Sequence, residues 1–149
     1  MLLVIYIDYD DFISKHAEII TKSLDNENPN VRHPSAVKSI LEFIRDDAYY
    51  PEFIDKINHL VFSIATRQDF FAANKRTAVI AAGAYFLEIN SFDQAVVDNF
   101  IRGMENPILL VARGELSKED LKAVINDLIY NLELSEETKT RFIRLLPEN

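Results

Sequence analysis

The fold is decided by residues 74–89, which read NKRTAVIAAGAYFLEI. After its first turn this stretch is almost wholly apolar, and it contains no proline to interrupt a helix. A helix that is apolar on all sides is buried at the centre of its domain. The stretch therefore predicts a buried central helix, and Asn90 is expected to end it in the left-handed conformation.

Apolar residues recur at helical spacing on both sides of this stretch, which predicts an all-α fold of six to eight helices. Only the first residues and the polar run 26–33 have strand-like character. Further helices are predicted from Asp8, after Pro34, from Phe53 through Ile64, over 92–104 with a break at Asn106-Pro107, after Ser117, and from Ser135 to Leu145-Leu146.

Length and composition exclude several classes of protein. The chain has 149 residues, enough for one domain with a core of its own. It has no cysteine, which excludes disulfides, thiol nucleophiles and cysteine-based metal sites, and its three glycines argue against a glycine-rich phosphate loop. The net charge of −8 argues against direct binding to nucleic acid, which needs a basic face.

The first seven residues are apolar but too few for a secretion signal or a membrane span. We therefore expect no membrane association. Together with the absence of cysteine, this favours a cytoplasmic location.

Lys75 and Arg76 open the central helix, where two cations need an explanation. The positive end of the helix dipole makes cations there unfavourable by about 0.3–1 kcal/mol each. An anion would remove the conflict, because backbone amides, the dipole and both side chains could converge on a phosphate. Asn74 would add a donor and a natural N-cap. The alternative is that both cations pair with Asp69 or with a carboxylate of a flap beside the helix, and on physical grounds the two interpretations stand about even.

Residues 68–78, which read QDFFAANKRTA, resemble the signature of the Fic/Doc family. That signature runs His-x-Phe-x-Asp/Glu-Gly/Ala-Asn-Lys/Gly-Arg and is usually followed by Thr-Ala. Other segments are similar to death-on-curing (Doc) proteins, so that the resemblance covers about residues 5–132: they are 7–16, 31–41, 60–65, 85–90 and 114–117. It implies a single Fic/Doc-like domain over 1–149, with 134–149 as a C-terminal helical extension.

The resemblance implies a compact helical domain with a short flap hairpin. Fic proteins usually transfer AMP from ATP to a hydroxyl of a target protein; Doc-type members are toxins paired with an antitoxin, and some phosphorylate a translation elongation factor. It implies ATP or another nucleotide as ligand, and a target protein or antitoxin-like protein as partner. The positions implied are phosphate-binding Ala73, Asn74, Lys75 and Arg76, and flap residues Val31, Arg32 and His33 for the target.

Two positions depart from the family pattern. Gln68 stands where the family has its histidine base, and an amide cannot take a proton near neutral pH. Ala72 stands where an acidic residue holds Mg²⁺, so the resemblance gives this chain no metal ligand there. Asp69 is next to Gln68, but neighbouring residues normally point in different directions, so it is a poor substitute base.

The run from Ser23 to Asn28 matches the Ser/Thr-x-x-x-Glu-Gly/Asn motif by which some Fic proteins inhibit themselves. So short a pattern arises easily by chance, and coincidence is the first interpretation. In the alternative, Glu27 would reach Arg76 and inhibit the site.

The remaining polar residues are given ordinary interpretations. His16 is expected to be a hydrogen-bonded structural residue on the first helix, His33 a turn residue and His59 half-exposed. Phe70 is expected in the core. Glu52, Asp55 and Lys56 are expected to form a solvated face.

Three functional hypotheses follow. The first is a Doc-like, toxin–antitoxin-type protein that keeps a phosphate or nucleotide pocket but is impaired or altered in transfer. The second is an active nucleotidyl- or phosphotransferase that relies on positioning more than on a base. The third is a pure interaction module that receives a partner's helix in a groove.

Overall fold

The computed structural model describes residues 3–23 and 26–143, with side chains through residue 140. Across these residues it forms eight helices and no strand, which confirms the predicted all-α fold. They are α1 (Tyr9–Lys22), α2 (Pro34–Phe43), α3 (Phe53–Arg67), α4 (74–89), α5 (Gln94–Gly103), α6 (Glu105–Ala112), α7 (118–131) and α8 (Glu136–Ile143).

Helix α4 lies at the centre and packs against α1, α3 and α5. Its middle section, Thr77–Ala84, is π-helical, and all of it except Ile80 is buried. Gly83 allows α5 to approach closely, since a Cβ there would lie 2.4 Å from Phe100 Cζ. The predicted central helix is therefore confirmed, but Ile80 is 37% exposed and interrupts its burial.

The left-handed end predicted for the central helix is wrong. Asn90 has a φ of −98°, and it is the next residue, Ser91, that is left-handed with a φ of 66°. Asn90 instead uses its side chain to bond the backbone of Ile5. The helix predicted over 92–104 does end at Gly103, but the break lies at Met104 and not at Asn106-Pro107, because Pro107 is in the first turn of α6, where no backbone N–H is needed.

The predicted flap hairpin is also not formed in the described residues. Residues 26–33 come after α1 as an irregular segment whose single β-bridge joins Val31 to Phe70, in the loop after α3. Pro29 lacks a backbone donor, and the neighbouring asparagines favour turns over strands. The segment therefore pairs with the loop between α3 and α4 instead of with itself.

Lys56 is not on a solvated face, as the sequence suggested, but is 1% exposed. Its ammonium group donates to the carbonyl oxygen of Ile44 and to the Asp47 carboxylate, both at 2.7 Å. Asp55 is likewise held, 2.6 Å from Lys122, while Glu52 is exposed. Lys56 thus ties α3 to the end of α2, where helix carbonyls lack intrahelical donors.

The last helix begins as predicted, because the Ser135 hydroxyl accepts the amide of Thr138. Its predicted end at Leu145-Leu146 lies outside the described residues. In the described part of the chain, no helix has the length and apolar character needed to cross a bilayer.

Candidate functional site

The loop between α3 and α4 is framed by two left-handed residues. Gln68 ends α3 with a φ of 53°, and Ala73 precedes α4 with a φ of 64°. A side chain in this conformation costs roughly 1–2 kcal/mol, so surrounding contacts must hold the loop in place.

Asn74 supplies two of those contacts. Its side-chain oxygen accepts the Phe70 amide at 3.1 Å, and its side-chain nitrogen donates to the Phe70 carbonyl at 3.0 Å. Asn74 is the first residue of α4 and Ala73 is the N-cap, so the predicted asparagine cap is wrong. The amide of Asn74 shapes the loop, which is a different use from the predicted contact with phosphate.

Phe70 anchors the loop in the core and is 1% exposed. Its ring lies 4.0 Å from that of His16 and 5.9 Å, edge-on, from that of Phe12, centroid to centroid. The expectation that Phe70 is a core residue is confirmed, and Phe70 thereby joins the loop to α1.

Asp69 connects the loop to the preceding segment. It is 2% exposed, and its two carboxylate oxygens lie 3.0 Å from His33 Nδ1 and 3.3 Å from Arg67 Nε. Its carbonyl oxygen accepts the amides of Arg32 and His33. Asp69 is therefore a tether with both oxygens engaged, which agrees with its being a poor substitute base.

These contacts place Val31, Arg32 and His33 beside the loop. The Arg32 guanidinium lies over the exposed ring of Phe71, 4.8 Å from its centroid. The structure thus brings the three predicted target-binding residues to the loop that leads into the predicted phosphate-binding residues, although no hairpin carries them.

Arg76 is engaged by a carboxylate. Its Nη2 donates to both oxygens of Glu27, at 2.6 and 2.8 Å. The hydrogen bond from Arg76, and a second one from Ser23, hold the pKa of Glu27 below its ordinary value. The contact expected in the alternative interpretation of the Ser23–Asn28 pattern is therefore present, while its inhibitory role stays a prediction.

The Glu27 contact also bears on the alternative in which Lys75 and Arg76 both pair with carboxylates, because it supplies a carboxylate for one of the two cations. Arg76 does pair, with Glu27 and not with Asp69. Lys75 is exposed and makes no ion pair with any residue that the structure describes.

The start of α4 also offers backbone donors. The Thr77 amide is the first to bond back along the helix, to the Ala73 carbonyl at 2.8 Å. The amides of Asn74, Lys75 and Arg76 come before that bond and have no helical carbonyl to reach. Backbone donors and two cations therefore meet at the mouth of α4, which is chemistry suited to an anion.

The base and metal positions carry no replacement. Gln68 is exposed and Ala72 is half-buried. In the described residues, no group of three or more His, Asp or Glu side chains could hold a metal ion.

His16 has more to do with this site than its sequence position suggested. It is fully buried, and its Nδ1 lies 2.8 Å from Thr77 Oγ1 on α4, as expected of a structural histidine. Burial, and then the charge of Arg76, lower the pKa of His16 from 6.5 to about 4. Its Nε2 is buried with no hydrogen-bond partner among the described residues. The burial of His16 could be predicted from its helical spacing with Phe12 and Ile20, which places all three residues on the buried face of α1.

Two adjoining grooves run along the exposed strip of α4. One, of about 450 Å³, lies against α1 and the other, of about 380 Å³, lies against α5 and α6. Both are lined by Arg76, Ile80 and Ile101, and their other lining residues are mostly apolar or basic. Sequence reasoning missed these grooves, because it took α4 as buried on every side.

No family model matches the chain. Neither a curated protein nor a solved structure matches it either.

Proposed function

We propose that this protein is a Doc-like, toxin–antitoxin-type protein that binds a nucleotide or another phosphate compound at the mouth of α4 and is impaired or altered in group transfer. The observation that carries the proposal is the two-oxygen contact of Glu27 with Arg76. A carboxylate bound by an arginine nitrogen beside the first amides of a helix occupies the kind of place that suits a phosphate.

The departures from the family pattern limit the chemistry we propose. Neither Gln68 nor Ala72 supplies a base or a metal ligand, and both oxygens of Asp69 are engaged. Binding therefore depends on Arg76, Lys75 and the amides of α4, and Mg²⁺ would have to come with the nucleotide and its water shell.

Glu27 would compete with the ligand for Arg76. A phosphate that binds Arg76 through Nη2 must displace the carboxylate, so these two states exclude one another. Glu27→Gln removes the competing charge and keeps a side chain of nearly the same shape. Glu18→Gln is the matched control, because Glu18 lines the groove against α1 and makes only a long contact, 3.9 Å, with Lys15.

Binding is tested by the melting temperature of wild type and variants with and without ATP, inorganic phosphate and sulfate. A ligand that binds the folded state raises the melting temperature by mass action. We expect a larger shift for Glu27→Gln than for wild type or Glu18→Gln, and none for Arg76→Ala. Equal shifts in Arg76→Ala and wild type would contradict the proposal.

Transfer is tested with α- and γ-labelled ATP and cell lysate. We expect little or no label on other proteins with wild type, and a gain with Gln68→His plus Ala72→Asp. Strong labelling by wild type that disappears in Arg76→Ala would instead establish an active AMP- or phosphotransferase.

A second candidate function, a protein-interaction module, is favoured by the grooves along α4. Ile80 and Leu109 are large apolar residues exposed at 37% and 38%, and Lys75, Arg76 and Arg102 surround them in the groove against α6. An amphipathic helix of an antitoxin-like partner, with acidic residues at its edges, fits this pattern. Ile80→Asn adds polarity without charge, so it should abolish co-purification of such a partner but leave the ATP-induced shift in place.

A further inference from the structure

A second polar cluster lies apart from the Arg76 site, between α3, α7 and the segment before α3. Lys118 Nζ lies 2.7 Å from His59 Nδ1, and the Tyr50 hydroxyl lies 3.2 Å from the same nitrogen. The other ring nitrogen of His59 is 3.4 Å from Ser63 Oγ. An amine, an imidazole and a phenol are therefore in hydrogen-bonding contact.

Burial and its place at a helix start disfavour the charge of Lys118, while the Tyr50 ring, 5.5 Å from Nζ to its centroid, is the one aromatic face near it in the described residues. Lys118 is the first residue of α7, where the helix dipole opposes a cation, and it makes no ion pair within the described residues. Its strong contact is to a neutral acceptor, His59. Burial lowers the pKa of Lys118, and burial, followed by the charges of Lys118 and Arg67, lowers the pKa of His59 to about 4.

The cluster opens on a cavity of about 500 Å³ that contains Tyr50 and Lys118 in its wall. Asn58 is also in the wall and is 4% exposed. Its Nδ2 donates to the Lys118 carbonyl at 3.0 Å, which fixes the start of α7, while its Oδ1 has no partner in the described part of the chain. A small molecule therefore has room beside the amine.

The same wall contains a second lysine with the opposite environment. Lys122 lies one turn further along α7 and is 2.6 Å from the Asp55 carboxylate. That ion pair occupies the ammonium group of Lys122. The charged side chains in the wall are those of Asp55, Glu119, Lys118 and Lys122, so the cavity has no excess of positive charge to attract an anion.

We propose that Lys118 is a nucleophilic amine that condenses with a neutral aldehyde or ketone in this cavity to form an imine, with His59 carrying the proton. The Nζ lone pair bonds to the carbonyl carbon, and one N–H proton passes through His59 Nδ1 to the oxygen, which gives a carbinolamine. The second N–H proton follows the same route to the hydroxyl group. The C–O bond then breaks, water leaves and the C=N bond forms.

Acetaldehyde with cyanoborohydride tests this, because the reductant converts each imine into a stable N-ethyl group. The full chain is labelled for short times and the ethylated lysines are mapped by peptide mass spectrometry. We expect Lys118 to react on the order of a hundredfold faster than Lys122, the lower range of what a positioned acid–base group contributes. Equal rates at the two lysines would overturn the proposal, and this comparison needs no variant.

The role of His59 is tested in His59→Asn, whose folding is checked by its melting transition. We expect the rate at Lys118 to fall toward that of Lys122, with Lys122 unchanged. If the variant is folded and Lys118 still reacts at the wild-type rate, the proton-carrying role of His59 is wrong. Lys118→Arg keeps a long basic side chain but has no nucleophilic amine, so it should remove the fast label altogether. The labelling rates at Lys118 do not depend on ATP binding at Arg76, so the two proposals can fail separately.

Discussion

Arg76 and Lys118 both lie in the first turn of a helix, where the dipole disfavours a cation, and the structure answers the conflict in two ways. Arg76 is held by the Glu27 carboxylate. Lys118 is next to the neutral ring of His59, and burial lowers its pKa. The same place on a helix is therefore occupied by a cation paired with a carboxylate in one case and by an amine beside an imidazole in the other, and we propose that this difference makes Arg76 an anion-binding group and Lys118 a nucleophile.

The largest expected effect is on the free energy of unfolding, and the same variant tests which of the two sites depends on the loop between α3 and α4. Phe70→Ala removes a buried ring that packs on His16 and Phe12 and should lower the free energy of unfolding by about 3–5 kcal/mol. Urea denaturation measures this, and Phe71→Ala, at an exposed neighbouring ring, is the control with a change within about 0.5 kcal/mol. Under conditions where Phe70→Ala remains folded, the ATP-induced shift should be lost and fast labelling of Lys118 kept. Loss of both would show that the sites are coupled.

The next largest expected effect is a dependence of stability on pH, to which His16 and His59 both contribute. The pKa of His16 is 6.5 when unfolded and about 4 when folded, so between these values the unfolded state binds more protons. Stability should therefore be complete above about pH 6.5 and fall as pH drops toward 4, by up to about 3 kcal/mol for His16. His59 shifts in the same direction but is half-exposed, so its contribution should be smaller.

Urea denaturation between pH 7 and pH 4 measures this dependence. His16→Asn should flatten it more than His59→Asn does. An unchanged slope in His16→Asn would contradict the neutral, buried state of His16.

The smallest effect concerns how each helix begins. The Ser117 hydroxyl accepts the Asp120 amide at 3.0 Å, whereas α4 has Ala73 before it and no side-chain cap. Ser117→Ala should lower the free energy of unfolding by about 1 kcal/mol. Ser39→Ala, at an exposed position within α2, serves as the control and should be neutral or slightly stabilising. If Ser117→Ala leaves the free energy of unfolding unchanged, the Ser117 hydrogen bond does not stabilise α7, and the two helix starts differ only in geometry.

The sequence predicted the helices well because their apolar spacing is regular and their caps are local. The central helix, the Ser117 cap and the Ser135 start all depend on residues within a few positions of each other. Pro107 was misinterpreted because the same residue breaks a helix in its interior and is accepted in its first turn. The flap hairpin was wrong because the pairing of Val31 was decided by Phe70, far along the chain.

The candidate site was only half predictable for the same reason. Arg76 was conspicuous as a cation at the start of an apolar helix, and a short pattern connected it to Glu27. Nothing in the sequence connects His59 to Lys118, which are 59 residues apart and meet only when α3 packs against α7. Lys56 was misplaced because a lysine in an acidic stretch is normally solvated, and its burial depends on a carbonyl at the end of α2.

The two-point bond of Asn90 to the backbone of Ile5 has a consequence for the order of folding. The Asn90 side chain accepts the Ile5 amide at 2.8 Å and donates to its carbonyl at 2.9 Å, across a separation of 85 residues. Closing so long a loop costs more entropy than the short-range helix contacts do, and no single bond repays it. We therefore expect the start of the chain to dock last, after the helices have assembled, and its amide protection to report that assembly is complete.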